Sequence, residues 1–135
     1  MWWRVTRRVL GILLLVGALA GCAGGARQEA ALTTTRVLDG LRSQGIKYSN
    51  TDQTQRGPDG RETTVFVVGG GGNRTAAAVL VVFPDAAGPT THAGEYQLNP
   101  NAKYLYVHKN ALLGIAETLP ATEVEPIRRA FQSIT

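Results

Sequence analysis

Two residues suited to acid–base chemistry, His92 and Glu95, lie three positions apart in a glycine- and proline-containing stretch, 85–101, that begins with Asp85. Imidazole and carboxylate groups bind zinc or exchange protons when they converge, and His108 is a remote fourth candidate. Spacing within a loop does not bring side chains together, so polar loop residues in contact with water are the favoured interpretation. We therefore predict no metal and no cofactor, and keep a small hydrolase or metal-dependent site on 85–101 as the alternative.

A serine nucleophile has little support in this sequence. The only serines are Ser43, Ser49 and Ser133; none lies in a GxSxG context, and the chain has only two histidines to act as a base. The glycine-rich run 69–74 matches no phosphate-loop pattern, because Arg74 stands where GxGxxG needs its third glycine. This run favours a hairpin turn over a phosphate site.

Two tyrosines, Tyr104 and Tyr106, are predicted to share one face of a strand, because side chains alternate along an extended chain. Aromatic rings placed in this way stack on ligands or partners, but more often they cover the edge of a core with their hydroxyl groups in water. Together with His92 and Glu95, they are the candidate binding residues of the folded part of the chain.

The chain begins with a segment typical of an export leader. Residues 1–8 include three arginines and no acidic residue, and residues 9–20 are uncharged and mostly apolar. This apolar run is shorter than the roughly 20 residues that a helix needs to cross a bilayer, and it suits the apolar region of a signal peptide. We therefore predict a cleaved leader over residues 1–21 and no permanent membrane span there.

Cys22, the only cysteine in the chain, directly follows the apolar run in the sequence Leu19-Ala20-Gly21-Cys22. This tetrapeptide resembles the lipobox of bacterial lipoproteins, in which an aliphatic residue and two small residues precede the cysteine. The resemblance covers the first 22 residues of the chain. It implies that a diacylglycerol is attached to the Cys22 sulfur and that a peptidase cuts between Gly21 and Cys22, so that Cys22 becomes the mature N-terminus.

Two features of the leader leave alternatives open. The Ala18-x-Ala20 pattern also suits an ordinary secretory cleavage site with a chance cysteine behind it, although a solitary cysteine at this position favours the lipobox. Arg7 and Arg8 partly resemble a twin-arginine export signal, but the short basic segment and Gly11 favour ordinary basic flanking residues. Both export routes therefore stay open.

The formal net charge of +4 comes mainly from the leader. Three of the 14 basic residues lie before Cys22, so 11 basic and 10 acidic residues follow, with their signs interspersed. Phosphate binding needs lysines and arginines clustered on one face, so this distribution argues against nucleic acid as a partner. Since a single cysteine forms no internal disulfide, the folded part is predicted to be stable by packing alone.

The elements that must position these residues begin after a small, polar segment, 22–31, whose composition is typical of a flexible tether. Apolar residues then recur at helical spacing, and Gly45 suits the C-terminal end of this first helix. A second apolar stripe, over residues 124–134, follows the capping-box pair Thr122 and Glu125 and predicts a C-terminal helix.

Short β-branched and aromatic runs lie between the two helices, with turn signals between them. They are found at Ile46 and Tyr48 and at residues 63–68, 79–83, 104–107 and 112–116. Strands joined by short turns favour an antiparallel sheet, and amphipathic helices bury their apolar stripes against it. The predicted fold is a single α+β domain, 32–135, with about four or five antiparallel strands and an N-terminal and a C-terminal helix packed on one face.

The sequence therefore predicts a lipoprotein held at the cell membrane or outer membrane, with its domain facing outside the cytoplasm. The membrane is contacted through the lipid on Cys22. A non-catalytic role is favoured because no complete set of catalytic residues is present. The domain is expected to bind an envelope protein or a small ligand.

Overall fold

The computed structural model describes residues 31–49, 51, 53–69 and 73–135. The predicted leader, 1–21, and residues 22–30 of the predicted tether lie outside the described residues. Among the residues that are described, no helix is both long enough and apolar enough to cross a bilayer.

The first helix, α1, spans Thr34–Ser43. Thr33 caps its N-terminus, because the Thr33 hydroxyl accepts a backbone N–H hydrogen bond from the first turn. Gly45 ends the helix at φ +85°, a backbone conformation that glycine adopts without strain. The amides of Gly45 and Ile46 donate to carbonyls of the last turn in a Schellman motif, which confirms the predicted end.

Within the described residues, six strands form one antiparallel sheet in the order β1-β3-β4-β6-β5. Strand β2 pairs with β3 on the same edge as β1, at the opposite end of β3. The strands are β1 (Tyr48–Ser49), β2 (Thr54–Arg56), β3 (Glu62–Gly69), β4 (Thr75–Val82), β5 (Tyr104–His108) and β6 (Ala111–Ile115). The predicted α+β fold with an antiparallel sheet is confirmed. The additional strand, β2, is short and fully exposed, so it has no apolar residue that would reveal it in the sequence.

The third helix, α3, spans Ala121–Gln132 and packs with α1 on one face of the sheet, as predicted. Its apolar stripe is buried at Val124, Ile127 and Phe131 and continues to Ile134. These side chains meet a row of buried residues from the central strands in one core. The sheet residues of this core include Phe66, Val68, Ala78, Leu80, Leu113 and Ile115.

The predicted capping box at the start of α3 is wrong. The helix begins at Ala121, after Pro120 in an extended conformation, and no side chain caps it. Thr122 therefore lies inside the helix, and the Glu125 carboxylate instead accepts hydrogen bonds from arginines one turn later, Arg128 and Arg129. The guanidinium of Arg128 lowers the pKa of Glu125 to about 2.

The stretch predicted as a loop, 85–101, contains a helix, α2, over Gly88–Tyr96, and part of a 3-10 turn over Pro100–Ala102. The Asp85 carboxylate accepts hydrogen bonds from the amides of Ala87 and Gly88, and so satisfies donors that the helix leaves free. Proline at the first turn is compatible with this start. The loop prediction is wrong here. The sequence of α2 has no extended apolar stripe that would indicate a helix.

The second helix covers part of the opposite face of the sheet. Ala93 and Tyr96 pack on a smaller core built from alternate residues of β4 and β6 and from the residue that follows β4. The buried members of this core are Val79, Val81, Phe83, Ala102 and Leu112. The side chains of one strand thus serve two cores, because successive residues point to opposite faces of the sheet.

The chain enters the domain through a hydrogen-bonded clamp on Leu32. The buried Asn110 side chain accepts from the Leu32 amide at 2.8 Å and donates to the Leu32 carbonyl at 2.9 Å. The same Nδ2 donates to the Phe83 carbonyl at 2.9 Å. Asn110 therefore joins the first residues of the domain to the sheet in place of a paired strand.

Chain entry and the β3–β4 hairpin lie at opposite ends of the sheet. At the entry end the hydroxyl of Thr34 donates to Glu62, the first residue of β3. The strand has eight residues and ends at Gly69, about 25 Å away at the usual rise per residue. The structure therefore has an entry end, near Leu32 and Asn110, and a hairpin end, near Gly69 and Thr75.

Candidate functional site

A first candidate site surrounds Arg61 in the turn between β2 and β3. The Arg61 Nε lies 2.7 Å from the Asp59 carboxylate. The Arg61 Nη1 lies 3.1 Å from the Glu95 carboxylate and donates to the Tyr96 hydroxyl at 3.0 Å. We call this group of side chains the Arg61 cluster. Its members are Asp59, Arg61, Phe83, His92, Glu95 and Tyr96.

The predicted pair His92 and Glu95 meets in this cluster. The His92 Nδ1 lies 2.6 Å from a Glu95 oxygen and 3.1 Å from Arg61 Nη2. Because an ionised carboxylate only accepts hydrogen bonds, the proton on Nδ1 points to Glu95. The imidazole stacks on Phe83 with 5.5 Å between ring centroids, and the Arg61 guanidinium lies 5.0 Å from the same ring.

The charged side chains of the Arg61 cluster are paired with one another. Hydrogen bonds from His92 and then Arg61 lower the pKa of Glu95, and the backbone N–H and guanidinium of Arg61 lower the pKa of Asp59. Burial acts to lower the pKa of Arg61, but its bonds to Tyr96, Asp59 and Glu95 outweigh burial and raise it. All three groups are therefore charged at neutral pH. This cluster fixes α2 to the β2–β3 turn and offers no carboxyl group poised for proton transfer near neutral pH.

Acid is expected to weaken this contact. A carboxylate with a lowered pKa adds stability above its unfolded pKa, and this stability is lost as pH falls through the folded pKa. The free energy of unfolding in urea should therefore decrease below about pH 5. In Arg61→Gln the decrease should be shallower, since Asp59 loses its guanidinium partner and Glu95 keeps only His92. Arg36→Gln, at an exposed arginine of α1, serves as control. Equal pH slopes for wild type and Arg61→Gln would contradict this role.

Two further residues of the predicted acid–base group lie elsewhere. Asp85 is occupied in capping α2. His108 lies at the end of β5 on the face covered by α1 and α3, where its Nε2 is 2.6 Å from the Ile134 carbonyl and its ring meets Phe131 edge-on. The four candidates thus do not share one site. Over the described part of the chain, no group of three or more His, Cys, Asp or Glu residues is placed to hold a metal ion.

The two candidate tyrosines lie on the same sheet face, as the strand pattern predicts, and pack against the α1–α3 core. The Tyr104 hydroxyl donates to the Leu119 carbonyl at 3.1 Å. Burial raises the pKa of the half-buried Tyr106 hydroxyl. Both rings therefore cover the edge of the core next to α3.

A second candidate site is a cavity of about 700 Å³ at the hairpin end of the sheet, which we call the sheet-end groove. It lies between the segment that follows α1, the ends of β3 and β4, and the first turns of α3. Its walls are residues 44–49, Val67, Gly69, residues 73–75, Glu123, Pro126 and Ile127. None of the binding residues proposed from the sequence lies in it, because three segments distant in sequence meet there.

Charged groups line the sheet-end groove. The Glu123 Oε2 atom is buried and accepts no hydrogen bond from the residues that the structure describes. Lys47 and Arg74 line the same groove with exposed side chains. One wall is fixed by Tyr48, whose ring meets Phe66 edge-on at 6.1 Å between centroids.

The two sites differ in how far their polar groups are satisfied. In the Arg61 cluster each charge has a partner of opposite sign, whereas Glu123 has none within the described ranges. The sheet-end groove is therefore the better candidate for binding, because it combines open volume with an unsatisfied carboxylate.

Comparison of the chain with protein-family models, curated proteins and solved structures finds no match.

Proposed function

We propose that this chain is a lipid-anchored protein of the cell envelope whose α+β domain binds a ligand or partner outside the cytoplasm without catalysing a reaction. One observation carries the proposal: the lipobox-like sequence Leu19-Ala20-Gly21-Cys22 at the end of a basic and apolar leader. The leader addresses the chain to export, and the cysteine thiol is the group that accepts the lipid.

The geometry of the domain is compatible with anchorage at its entry end. Residues 23–31 connect the predicted lipid to Leu32, and nine residues reach at most about 30 Å when fully extended. The sheet-end groove lies at the other end of β3, about 25 Å farther along the sheet.

We prefer a binding role to catalysis because the candidate acid–base residues are already engaged in hydrogen bonds within the domain. The His92–Glu95 pair is the arrangement nearest to an acid–base dyad among the described residues, but hydrogen bonds from His92 and Arg61 lower the pKa of Glu95 and keep it ionised. Asp85 and His108 are occupied elsewhere. The sheet-end groove has an open volume and an unpaired carboxylate, which suit recognition of a ligand.

The anchorage is tested by metabolic labelling with a fatty acid in the producing cells. Wild type should incorporate the label, whereas Cys22→Ala should not, because the acyl acceptor is gone. Ala30→Ser, in the same segment with the cysteine retained, serves as control and should behave as wild type. Equal labelling of wild type and Cys22→Ala would refute lipidation at this residue, and an unlabelled wild type would identify an ordinary secretory leader.

The binding role is tested separately, by crosslinking in intact cells followed by purification of the anchored protein. A protein recovered reproducibly from wild type, and lost when the lining residues Arg74 and Glu123 are replaced together, would support binding through the sheet-end groove. A partner that is retained by this double variant would place the interaction on another surface.

A further inference from the structure

The sheet-end groove combines opposite charges around one cavity, with a carboxylate on α3 and two basic side chains on the segments that face it. We propose that this groove binds a zwitterionic molecule of the size of a short peptide, with its ammonium group at Glu123 and its carboxylate at Lys47 and Arg74. The inference rests on the proposed binding role and adds the chemistry of the ligand.

Glu123 is the first element of the argument. Its Oε2 is shielded from solvent and has no hydrogen-bond donor among the described residues. A buried carboxylate oxygen without a partner is costly, and buried polar groups in folded proteins are almost always paired. A ligand ammonium group supplies several donors and a compensating positive charge for this carboxylate, and it reaches Oε2 when the Glu123 side chain turns toward the groove that it lines.

The facing walls supply the complementary charge. Lys47 follows α1 and Arg74 precedes β4; both side chains are exposed, and within the described part of the chain neither takes part in an ion pair. Ion pairs elsewhere in the described residues include those of the Arg61 cluster and the pair between Glu125 and Arg128. A lysine and an arginine that line one cavity, and that have no ion pair among the described residues, favour an anionic group such as a carboxylate.

The size and middle of the groove suit a peptide-like molecule. About 700 Å³ lies within the usual range of small-ligand sites. The lining also includes the apolar residues Ile46, Val67 and Pro126 together with Tyr48. Small apolar side chains of a ligand would lie against this surface while its two termini meet the opposite charges.

The test uses trialanine with free termini as the probe and the purified full chain, labelled with ¹⁵N, in detergent micelles. Amide shifts followed during titration should move for groove residues such as Gly45, Ser49 and Thr75, and should leave α2 unchanged. Trialanine acetylated at its N-terminus or amidated at its C-terminus should bind at least about tenfold more weakly, since each modification removes one charge.

Variants test which residue binds each terminus of trialanine. Glu123→Gln keeps the shape of the side chain and should weaken free trialanine by about tenfold, with no further loss on N-acetylation. Arg74→Gln, at an exposed position, should likewise weaken the binding of free trialanine, with no further loss of affinity on C-terminal amidation. The matched control is Glu125→Gln, which removes the same charge from α3 at a residue paired with Arg128 and outside the groove, and should leave affinity unchanged.

The possible failures are distinguishable. Absence of groove shifts up to about 10 mM trialanine, shifts confined to other surfaces, or equal binding of the blocked peptides would overturn the zwitterion proposal. Fatty-acid labelling at Cys22 would still establish anchorage in each of these cases. A crosslinked partner recovered from cells would still establish a binding role, with a ligand of different chemistry.

Discussion

Replacing Asn110 by alanine is expected to lower the free energy of unfolding by about 3 kcal/mol or more. The Asn110 amide is almost fully buried and makes three hydrogen bonds, two with the backbone of Leu32 and one with the Phe83 carbonyl. Truncation leaves these groups buried without partners, and each such loss costs about 1–3 kcal/mol. Urea unfolding followed by circular dichroism measures the change.

Two further variants give this prediction a sharp control. Asn73→Ala changes the same residue type at an exposed position and should stay within about 0.5 kcal/mol of wild type. Asn110→Asp keeps the acceptor for the Leu32 amide but removes both donated bonds, so it should also destabilise strongly. A loss below about 1 kcal/mol for Asn110→Ala would show that the amide is not the clamp that the geometry indicates.

Replacing Gly114 by valine is expected to cost about 2–4 kcal/mol, because β6 lies too close to the 3-10 turn for any side chain there. A Cβ atom at Gly114 would lie 2.6 Å from the Ala102 Cβ, 2.9 Å from the Ala102 Cα and 2.9 Å from a Val79 methyl carbon. One of these contacts is to backbone, so relief requires the turn to move off the sheet. The same urea experiment measures the cost.

The matched control for Gly114 has the opposite expected sign. Gly94 lies in α2, where an added Cβ atom would meet nothing within 4 Å, so Gly94→Ala should raise the free energy of unfolding by up to about 1 kcal/mol through helix propensity. Adding Ala102→Gly to Gly114→Val removes the closest contact and should recover part of the loss. An unchanged stability for Gly114→Val would contradict the close approach.

The parts of the fold that can be predicted from the sequence are those with a repeating apolar pattern. The stripe of α3 is buried, and the β-branched runs form the strands β3 and β4 as predicted; β4 is buried along most of its length, whereas β3 leaves Val65 exposed. Two elements lack such a pattern and escape prediction. Strand β2 is exposed along its whole length, and α2 fully buries only its first two residues, Gly88 and Pro89. Periodicity reports burial on one face, so it cannot reveal elements that bury little.

The candidate sites are predictable only where local geometry fixes them. His92 and Glu95 meet because residues three apart share one face of a helix, although the sequence pattern favours a loop there. Arg61 lies 31 positions before His92, and only the packing of α2 on the sheet joins them. The sheet-end groove is assembled from three distant segments, so no spacing in the sequence indicates it.

The Asn110 clamp also has a mechanical consequence for the proposed anchorage at Cys22. Any tension in the segment before Leu32 reaches the domain at that residue, before it reaches α1. Both hydrogen bonds to Leu32 come from one side-chain amide, so both transmit such a load to Asn110. Their shared anchor lies in the turn between β5 and β6 and also holds the end of β4 through Phe83. Tension on the segment before Leu32 would thus reach the central strands of the sheet through Asn110.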